Sequence, residues 1–200
     1  MVEGYATCSE RLIFTLPDMT TALLIIDMQA DMQARLDAGR DHVNGDAATK
    51  IARLAKGFRA AGLPVVHVRH ADADPASSFH PDQPGHAPMP CAEAEAGEMV
   101  FVKSTSSAFA STGLERHLRD TGVDRLFVCG AVAGFCVTST VRSAADLGFD
   151  VTVVKDAVLG FGLPDVSAAD IFTVSMALLA ADFATMTDTD AVLVSLRPLA

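Results

Sequence analysis

The chain has 200 residues, a formal net charge of −10 at pH 7 and a sequence pI of about 4.8. Half of the residues are hydrophobic and one fifth are charged, a composition typical of a folded globular protein and not of a disordered one. We assign residues 1–200 to one domain, because a chain of this length can bury a single sizeable core. The acidic balance, with no cluster of Lys and Arg, argues against a nucleic-acid-binding protein.

The sequence also argues against membrane insertion and secretion. No segment reaches the roughly 18 uninterrupted apolar residues of a membrane span. The start of the chain, MVEGYATCSERLIFTLP, lacks the basic segment and long apolar segment of a signal peptide. We therefore expect a cytoplasmic protein without a membrane partner. No two of its four cysteines have CxxC spacing, and a reducing compartment would keep them as thiols.

Apolar runs alternate with helical patterns along the chain. Runs that are almost continuously hydrophobic predict strands covered on both faces, and they lie at 21–28, 64–70, 98–104, 124–131, 149–157 and 191–196. Amphipathic spacing predicts helices at 44–61, 112–121, 136–147 and 165–181. Such alternation is typical of a three-layer, doubly wound α/β fold with a parallel sheet. Residues 71–96, with five prolines, form an irregular segment that we interpret as a lid or binding loop.

Charged residues end two of the predicted strands. Asp27 follows the apolar run TALLII, and Lys103 ends MVFVK. Ligands of open α/β sheets bind beyond the carboxyl ends of the strands, so Asp27 is a candidate catalytic residue, although it could also be a metal ligand or a helix cap. Lys103 by itself could be a surface residue whose stem packs on the protein.

Cys136 lies where the predicted strand 124–131 gives way to a helix. The small residues between them permit a tight turn, and a helix N-terminus is expected to lower the pKa of a thiol placed there. Free cysteines are often core residues, and Cys129, inside the strand, fits that interpretation better than Cys136 does. A thiolate nucleophile needs a base and a cation nearby, which Asp27 and Lys103 could supply.

Three segments carry a resemblance to a known family: TALLIIDMQ around Asp27, VKSTSSAF around Lys103, and GAVAGFCVTSTVRSAADLGFDVTVVKDA around Cys136. Over about residues 18–196 the chain resembles the isochorismatase-like cysteine hydrolase superfamily, which includes nicotinamidases and N-carbamoylsarcosine amidohydrolase. The resemblance implies a Rossmann-like fold with a six-stranded parallel sheet in the order 3-2-1-4-5-6.

The resemblance also implies an Asp27–Lys103–Cys136 catalytic triad. Cys136 would attack a carbonyl carbon of a small amide, ureide or carbamoyl compound, forming a thioester that water hydrolyses. Asp27 would be the general base, and Lys103 would stabilise the thiolate. The backbone N–H groups of Val132 and Cys136 would form the oxyanion hole, beside a cis peptide bond between Ala131 and Val132. Relatives that cleave the vinyl ether of isochorismate lack this cysteine, so we expect C–N hydrolysis.

Nicotinamidases have an Asp-x-His…His metal site after their second strand. The corresponding segment here, HVRHADADPASSFHPDQPGH, is rich in histidine but contains no Asp-x-His pair. Because a good metal site needs three or four placed ligands, we predict no metal and no cofactor. A metal-assisted nicotinamidase and a non-catalytic member of the fold are the alternatives.

The substrate pocket should be formed by segments beside the triad. We expect its walls to include Gln29, His70, Phe79, Phe109 and Phe135, although each phenylalanine could also be an ordinary core residue. The resemblance further implies a homodimer or homotetramer.

Overall fold

The computed structural model describes residues 20–196, which form an α/β sandwich of helices on both faces of one sheet. Its strands are β1 (Thr20–Ile26), β2 (His42–Val43), β3 (Val65–His70), β4 (Met99–Lys103), β5 (Val123–Ala131), β6 (Asp150–Phe161) and β7 (Thr185–Thr187). Its α-helices are α1 (Ala30–Asp37), α2 (Ala47–Ala60), α3 (Leu114–Asp120), α4 (Thr138–Asp146), α5 (Ala168–Asp182) and α6 (Thr189–Ser195).

Six strands pair in parallel in the order β7-β6-β5-β1-β3-β4, and β2 pairs antiparallel with the end of β6. Counted along the chain, the parallel strands have the predicted order 3-2-1-4-5-6, so the fold class is confirmed. The sheet's centre is β1, which pairs with β3 on one side and β5 on the other. The direction of the sheet order reverses between β1 and β5, where α/β folds place their ligand crevice.

The sixth strand is not the one predicted. The run at 191–196 belongs to helix α6, and the strand is β7, a short segment just before it. The carboxylate of Asp188 accepts a hydrogen bond from the Ala191 N–H and caps the start of the helix. Val192 is buried among the residues of the core on that face. A short apolar run has the same composition in a buried strand and in a buried helix, so its sequence does not separate the two.

Helix α1 and strands β2 and β7 are elements that the sequence did not predict. Helices α2, α3, α4 and α5 begin and end within a few residues of the predicted bounds. Residues 71–96 contain no α-helix or strand, only two short 3-10 turns at Pro84–His86 and Pro90–Ala92. Within residues 20–196, none of the helices is long and apolar enough to cross a membrane.

Alternation along the strands divides the core into two layers. In β1, Leu24 and Ile26 face the helices α3, α4 and α5, whereas Leu23 and Ile25 face α2 and α6. All four side chains are buried, because both faces of the sheet are covered. The uninterrupted apolar character of this strand therefore ends only where the sheet ends, at Asp27.

Candidate active site

The site lies at the carboxyl edge of the sheet, where three neighbouring strands end. Asp27 follows β1 and has a positive φ of 48°, and its N–H donates to the carbonyl of Val68 on β3. On the other side of β1, a Cβ on Gly130 would lie 2.1 Å from the carbonyl oxygen of Ile26. Only glycine fits this approach of β5 to β1. The strand ends that carry the site are therefore held close together by the backbone.

Lys103 joins the candidate residues. It is the last residue of β4, and its side chain reaches past the end of β3 with no exposed surface. Its Nζ lies 2.7 Å from Asp27 Oδ2 and 3.2 Å from Cys136 Sγ. It also lies 3.2 Å from Nδ1 of His70, the residue paired with Lys103 in the sheet. An ammonium has three donors, so these acceptors satisfy a cation that would otherwise be costly to bury.

The carboxyl group of Asp27 is shaped by two opposing effects. Burial raises its pKa above the ordinary value, and the neighbouring Lys103 ammonium opposes that rise. A hydrogen-bonding interaction with the Cys136 thiol also favours the charged carboxylate. Its second oxygen, Oδ1, is buried and accepts no hydrogen bond of ordinary geometry from the described residues. That oxygen is therefore available to take a proton, and a carboxylate with a raised pKa is the stronger base.

Cys136 lies in a π-helical turn, Ala133–Val137, between β5 and α4. Burial and the adjacent Asp27 carboxylate raise the pKa of its thiol to about 11, and Lys103 opposes them. The sequence predicts a lowered pKa at a helix N-terminus, whereas burial and the Asp27 carboxylate shift the pKa in the opposite direction. The resting sulfur is therefore a thiol that must lose its proton as it reacts. The peptide bond between Ala131 and Val132 is cis, as the resemblance implies.

A cavity of about 320 Å³ opens over the thiol. Of the residues predicted for the pocket, it brings together His70, Phe79 and Phe135 with Asp27, Val132 and Cys136. The sequence did not identify its remaining wall, which consists of Met32, Arg35 and Ser106. Met32 and Arg35 are one turn apart in α1, the helix that the sequence also missed. A helical interpretation of the residues after Asp27 would have placed one face of that helix beside the site.

Two predicted pocket residues do not line this cavity. Gln29 is fully buried, and its side-chain amide donates to the carbonyls of His70 and His86 and accepts from the His70 N–H. It fastens the end of β3 to the 71–96 segment, and every polar atom of its amide is used there. Phe109 packs in the core, with its ring centroid 5.8 Å from that of Phe149. The hydrogen bonds of Gln29 and the packing contacts of Phe109 are therefore made away from the cavity.

The histidine-rich segment does not assemble a metal site in the part of the chain that the structure describes. No group of three or more His, Cys, Asp or Glu side chains within residues 20–196 is arranged to hold an ion. His67 is buried in β3 with its Nε2 2.9 Å from a Glu98 oxygen. The Nδ1 of His70 lies against the Lys103 ammonium, and burial followed by that cation lowers the pKa of His70, which favours its neutral form.

Known proteins of one family are similar to this chain over most of its length. The isochorismatase domain model matches residues 21–191, a span that includes Asp27, Lys103 and Cys136. The chain belongs to the isochorismatase family. Among curated members, it is 30% identical to the uncharacterized isochorismatase family protein YrdC of Bacillus subtilis over 84% of this chain and 92% of YrdC. It is 35% identical to YddQ of the same organism over 60% of this chain and 66% of YddQ.

Solved members of the isochorismatase family share the fold. A putative hydrolase of this family from Chromobacterium violaceum is 35% identical, with a TM-score of 0.84 over 90% of this chain and 95% of that one. A cysteine hydrolase from Pseudomonas syringae is 25% identical, with a TM-score of 0.81 over 88% and 92% of the two chains. The protein is thus an isochorismatase-family hydrolase.

Proposed function

We propose that this protein is a cysteine-dependent amidohydrolase that cleaves a linear amide, ureide or carbamoyl C–N bond of a small molecule. The observation that carries the proposal is the buried Lys103 ammonium, which contacts both the Asp27 carboxylate and the Cys136 sulfur beneath one cavity. A nucleophile, a base and a cation at hydrogen-bonding distance are the parts that covalent acyl transfer requires.

The first half of the proposed reaction forms a thioester. Asp27 takes the proton of the Cys136 thiol as Sγ bonds to the substrate carbonyl carbon, and the carbonyl oxygen becomes an oxyanion. The N–H groups of Val132 and Cys136 are proposed to hold that oxyanion. The C–N bond then breaks, Asp27 returns the proton to the departing nitrogen, and ammonia or an amine leaves. The acyl group remains on sulfur as a thioester.

The second half regenerates the thiol. Asp27 takes a proton from a water molecule as its oxygen bonds to the thioester carbon. The C–S bond breaks, the sulfur recovers the proton from Asp27, and a carboxylic acid is released. The net change is amide plus water to acid plus amine, with no external oxidant or reductant. Lys103 stays protonated throughout and stabilises the thiolate each time that it forms.

The dimensions of the cavity support a small substrate. Its volume of about 320 Å³ lies near the lower end of the range for ligand pockets. Phe79 and Phe135 provide apolar walls, and the Nε2 of His70 is the ring nitrogen left for a ligand when Nδ1 accepts from Lys103. Such a pocket suits a compact molecule with one amide-type group.

The test is ammonia release from a panel of small amides, ureides and carbamoyl compounds that includes nicotinamide, with pyruvate release followed for isochorismate, which contains no nitrogen. We expect the wild type to hydrolyse part of the C–N panel and Cys136→Ala to lose at least about 1000-fold in kcat. The matched control is Cys91→Ala, since burial raises the pKa of that thiol also to about 11, yet it lies outside the cavity. Acyl-enzyme trapped by acid quenching should add its mass to the peptide containing Cys136.

Outcomes of the same panel separate the alternatives. Unchanged ammonia release in Cys136→Ala would contradict the proposal, and turnover that disappears on chelation and returns with one transition metal would favour metal-assisted hydrolysis. Cleavage of isochorismate alone would point to C–O chemistry. No turnover of any compound, together with unreactive Cys136, would favour a non-catalytic protein.

A further inference from the structure

The active-site cavity has a positively charged lining residue, Arg35, that the proposed reaction does not use. Arg35, on the second turn of α1, places its side chain there, and among the described lining residues it is the only arginine or lysine. The triad itself holds a matched pair, because the Lys103 ammonium neutralises the Asp27 carboxylate. The Nδ1 of His70 lies 3.2 Å from the Lys103 ammonium, which favours a neutral ring. The Arg35 guanidinium lines the cavity, whereas its partner Asp31 does not, so it is the cation that a ligand in this cavity meets.

The guanidinium is held in place from two sides. One terminal nitrogen, Nη2, lies 2.6 Å from Asp31 Oδ2, and the carboxylate of Asp31 is 11% exposed. The Arg35 Cζ lies 5.7 Å from the ring centroid of Phe79 and 5.8 Å from that of Phe161, distances suited to cation–π contact. These contacts fix the position of a long side chain before any ligand arrives, which lowers the entropy cost of binding.

The contact with Asp31 leaves donors on the guanidinium. An arginine side chain has five N–H donors in a planar fork, and its ion-pair contact with Asp31 is made by Nη2. The side chain keeps 28% of its surface exposed. The remaining donors of a fork that lines a small cavity match the two oxygens of a carboxylate better than they match a neutral group.

We propose that Arg35 is a specificity residue that binds a carboxylate on the substrate, at the end remote from the carbonyl attacked by Cys136. The substrate class is then small carboxylate-bearing amides, ureides and carbamoyl compounds, such as the monoamides of short dicarboxylic acids and N-carbamoyl amino acids. This inference rests on the proposed amidohydrolase function. A local cation is needed for such substrates because the chain as a whole carries a net charge of −10.

The kinetic test uses matched substrates that differ only in charge. Malonamate, succinamate, glutaramate and N-carbamoylglycine are each compared with their methyl esters, following ammonia release. For the wild type we expect kcat/KM to favour at least one free acid over its ester. In Arg35→Met, kcat/KM for that acid should fall by about 10- to 100-fold, while turnover of its ester changes by less than about threefold. Arg35→Lys should give an intermediate loss, because it keeps the charge without the fork.

Two further variants are matched to Arg35→Met. Arg40→Met removes a guanidinium that also lies over Phe161, 5.5 Å from the ring centroid, but does not line the cavity. We expect its preference for the acid to be unchanged. Asp31→Asn removes the competing carboxylate and should strengthen the preference for the acid. A preference for esters in the wild type, or an equal loss on acid and ester in Arg35→Met, would overturn the inference and leave the amidohydrolase proposal intact.

If no substrate of the panel is hydrolysed, a binding experiment tests the inference. Malonate, succinate and glutarate, which have no amide, are titrated calorimetrically into the wild type and into Arg35→Met, with melting temperatures measured to verify folding. We expect binding of at least one dicarboxylate by the wild type and a loss of about tenfold or more in Arg35→Met. Absence of binding to the wild type, or equal binding by both proteins, counts against the carboxylate site.

Discussion

Among single residues, Lys103 connects the candidate catalytic groups. It comes from the strand at one edge of the described sheet, yet its ammonium is fully buried and contacts Asp27, His70 and Cys136, which lie on three other elements. Burying a charge is tolerable only when it is paired, so removing one partner costs more than the pair itself contributes. The stability of the fold and the chemistry of the thiol therefore depend on the same cation.

Lys103→Met should destabilise the protein because it leaves the Asp27 carboxylate buried without its cation. We expect the free energy of unfolding at pH 7, measured by urea denaturation, to fall by about 3 kcal/mol. The double variant Asp27→Asn/Lys103→Met buries no charge and should be more stable than Lys103→Met alone. A double variant destabilised by the sum of the two single changes would show that the pair does not act as a unit.

The raised pKa of Cys136 makes the alkylation rate sensitive to its two charged neighbours in opposite directions. Asp27→Asn removes a negative charge that raises the thiol pKa, so Cys136 should react with iodoacetamide at pH 8 several-fold to about tenfold faster, although hydrolysis is lost. Lys103→Met removes the charge that lowers that pKa and should slow the reaction. Peptide mass spectrometry of the labelled protein distinguishes Cys136 from the other cysteines. Equal rates in all three proteins would contradict this electrostatic description.

Among the elements, the return of the 71–96 segment to the sheet depends on a second ionic cluster. Glu98, just before β4, lies 2.7 Å from Nε of Arg59 on α2 and 2.9 Å from Nε2 of His67 on β3. Its side chain is 12% exposed. The hydrogen bond from Arg59 is the main reason that the Glu98 pKa is lowered to about 2. The cluster connects three elements on the side of the sheet away from Cys136.

The stabilising contribution of Glu98 should be lost in acid. A carboxyl group whose pKa is lower in the folded state stabilises the fold above its unfolded pKa of about 4.5, and this contribution disappears as pH falls toward 2. We expect Glu98→Gln to lower the free energy of unfolding at pH 6 by about 2 kcal/mol, and the difference from the wild type to shrink steadily between pH 4.5 and pH 2.5. Glu95→Gln, at a carboxylate that is 67% exposed, is the control and should change stability little at either pH. A pH-independent difference for Glu98→Gln would contradict the assignment.

For the whole molecule, we expect self-association. The resemblance predicts a homodimer or homotetramer, and exposed apolar side chains surround a second cavity beside the Cys136 turn: Phe135, Leu163, Val166 and Val174. Large exposed apolar patches are typical of protein interfaces. Because Phe135 borders both this patch and the active-site cavity, a second copy of the chain seated here would also cover the site.

We expect sedimentation velocity to show a dimer or tetramer for the wild type and a smaller species for Val174→Glu. Val174 is 58% exposed on α5, so the substitution itself should be tolerated by the fold. Val194→Glu is the matched control, since Val194 is 62% exposed on α6 and lies outside this patch. A wild type that sediments as a monomer, or equal dissociation in both variants, would contradict the prediction.

The α/β fold class and the position of Asp27 and Lys103 at strand ends could be predicted from local sequence patterns. Buried parallel strands are continuously apolar, and a charged residue at such a strand's end lies at the ligand edge. The order of the parallel strands was implied by the family resemblance. Family motifs added the pairing of Asp27 with Lys103 and Cys136. The run at 191–196 shows where such rules stop, because an apolar segment that short fits a strand or a buried helix equally well.

The chemistry around the thiol depends on contacts that form only in the folded protein. Its raised pKa depends on burial and on a carboxylate more than 100 residues away along the chain, neither of which a local pattern contains. The same holds for Gln29, whose side-chain amide donates to the backbone carbonyls of His70 and His86. It holds also for Arg35, which lines the cavity because α1 packs there. Contacts between residues distant in sequence set these properties, so they became visible only once the chain was folded.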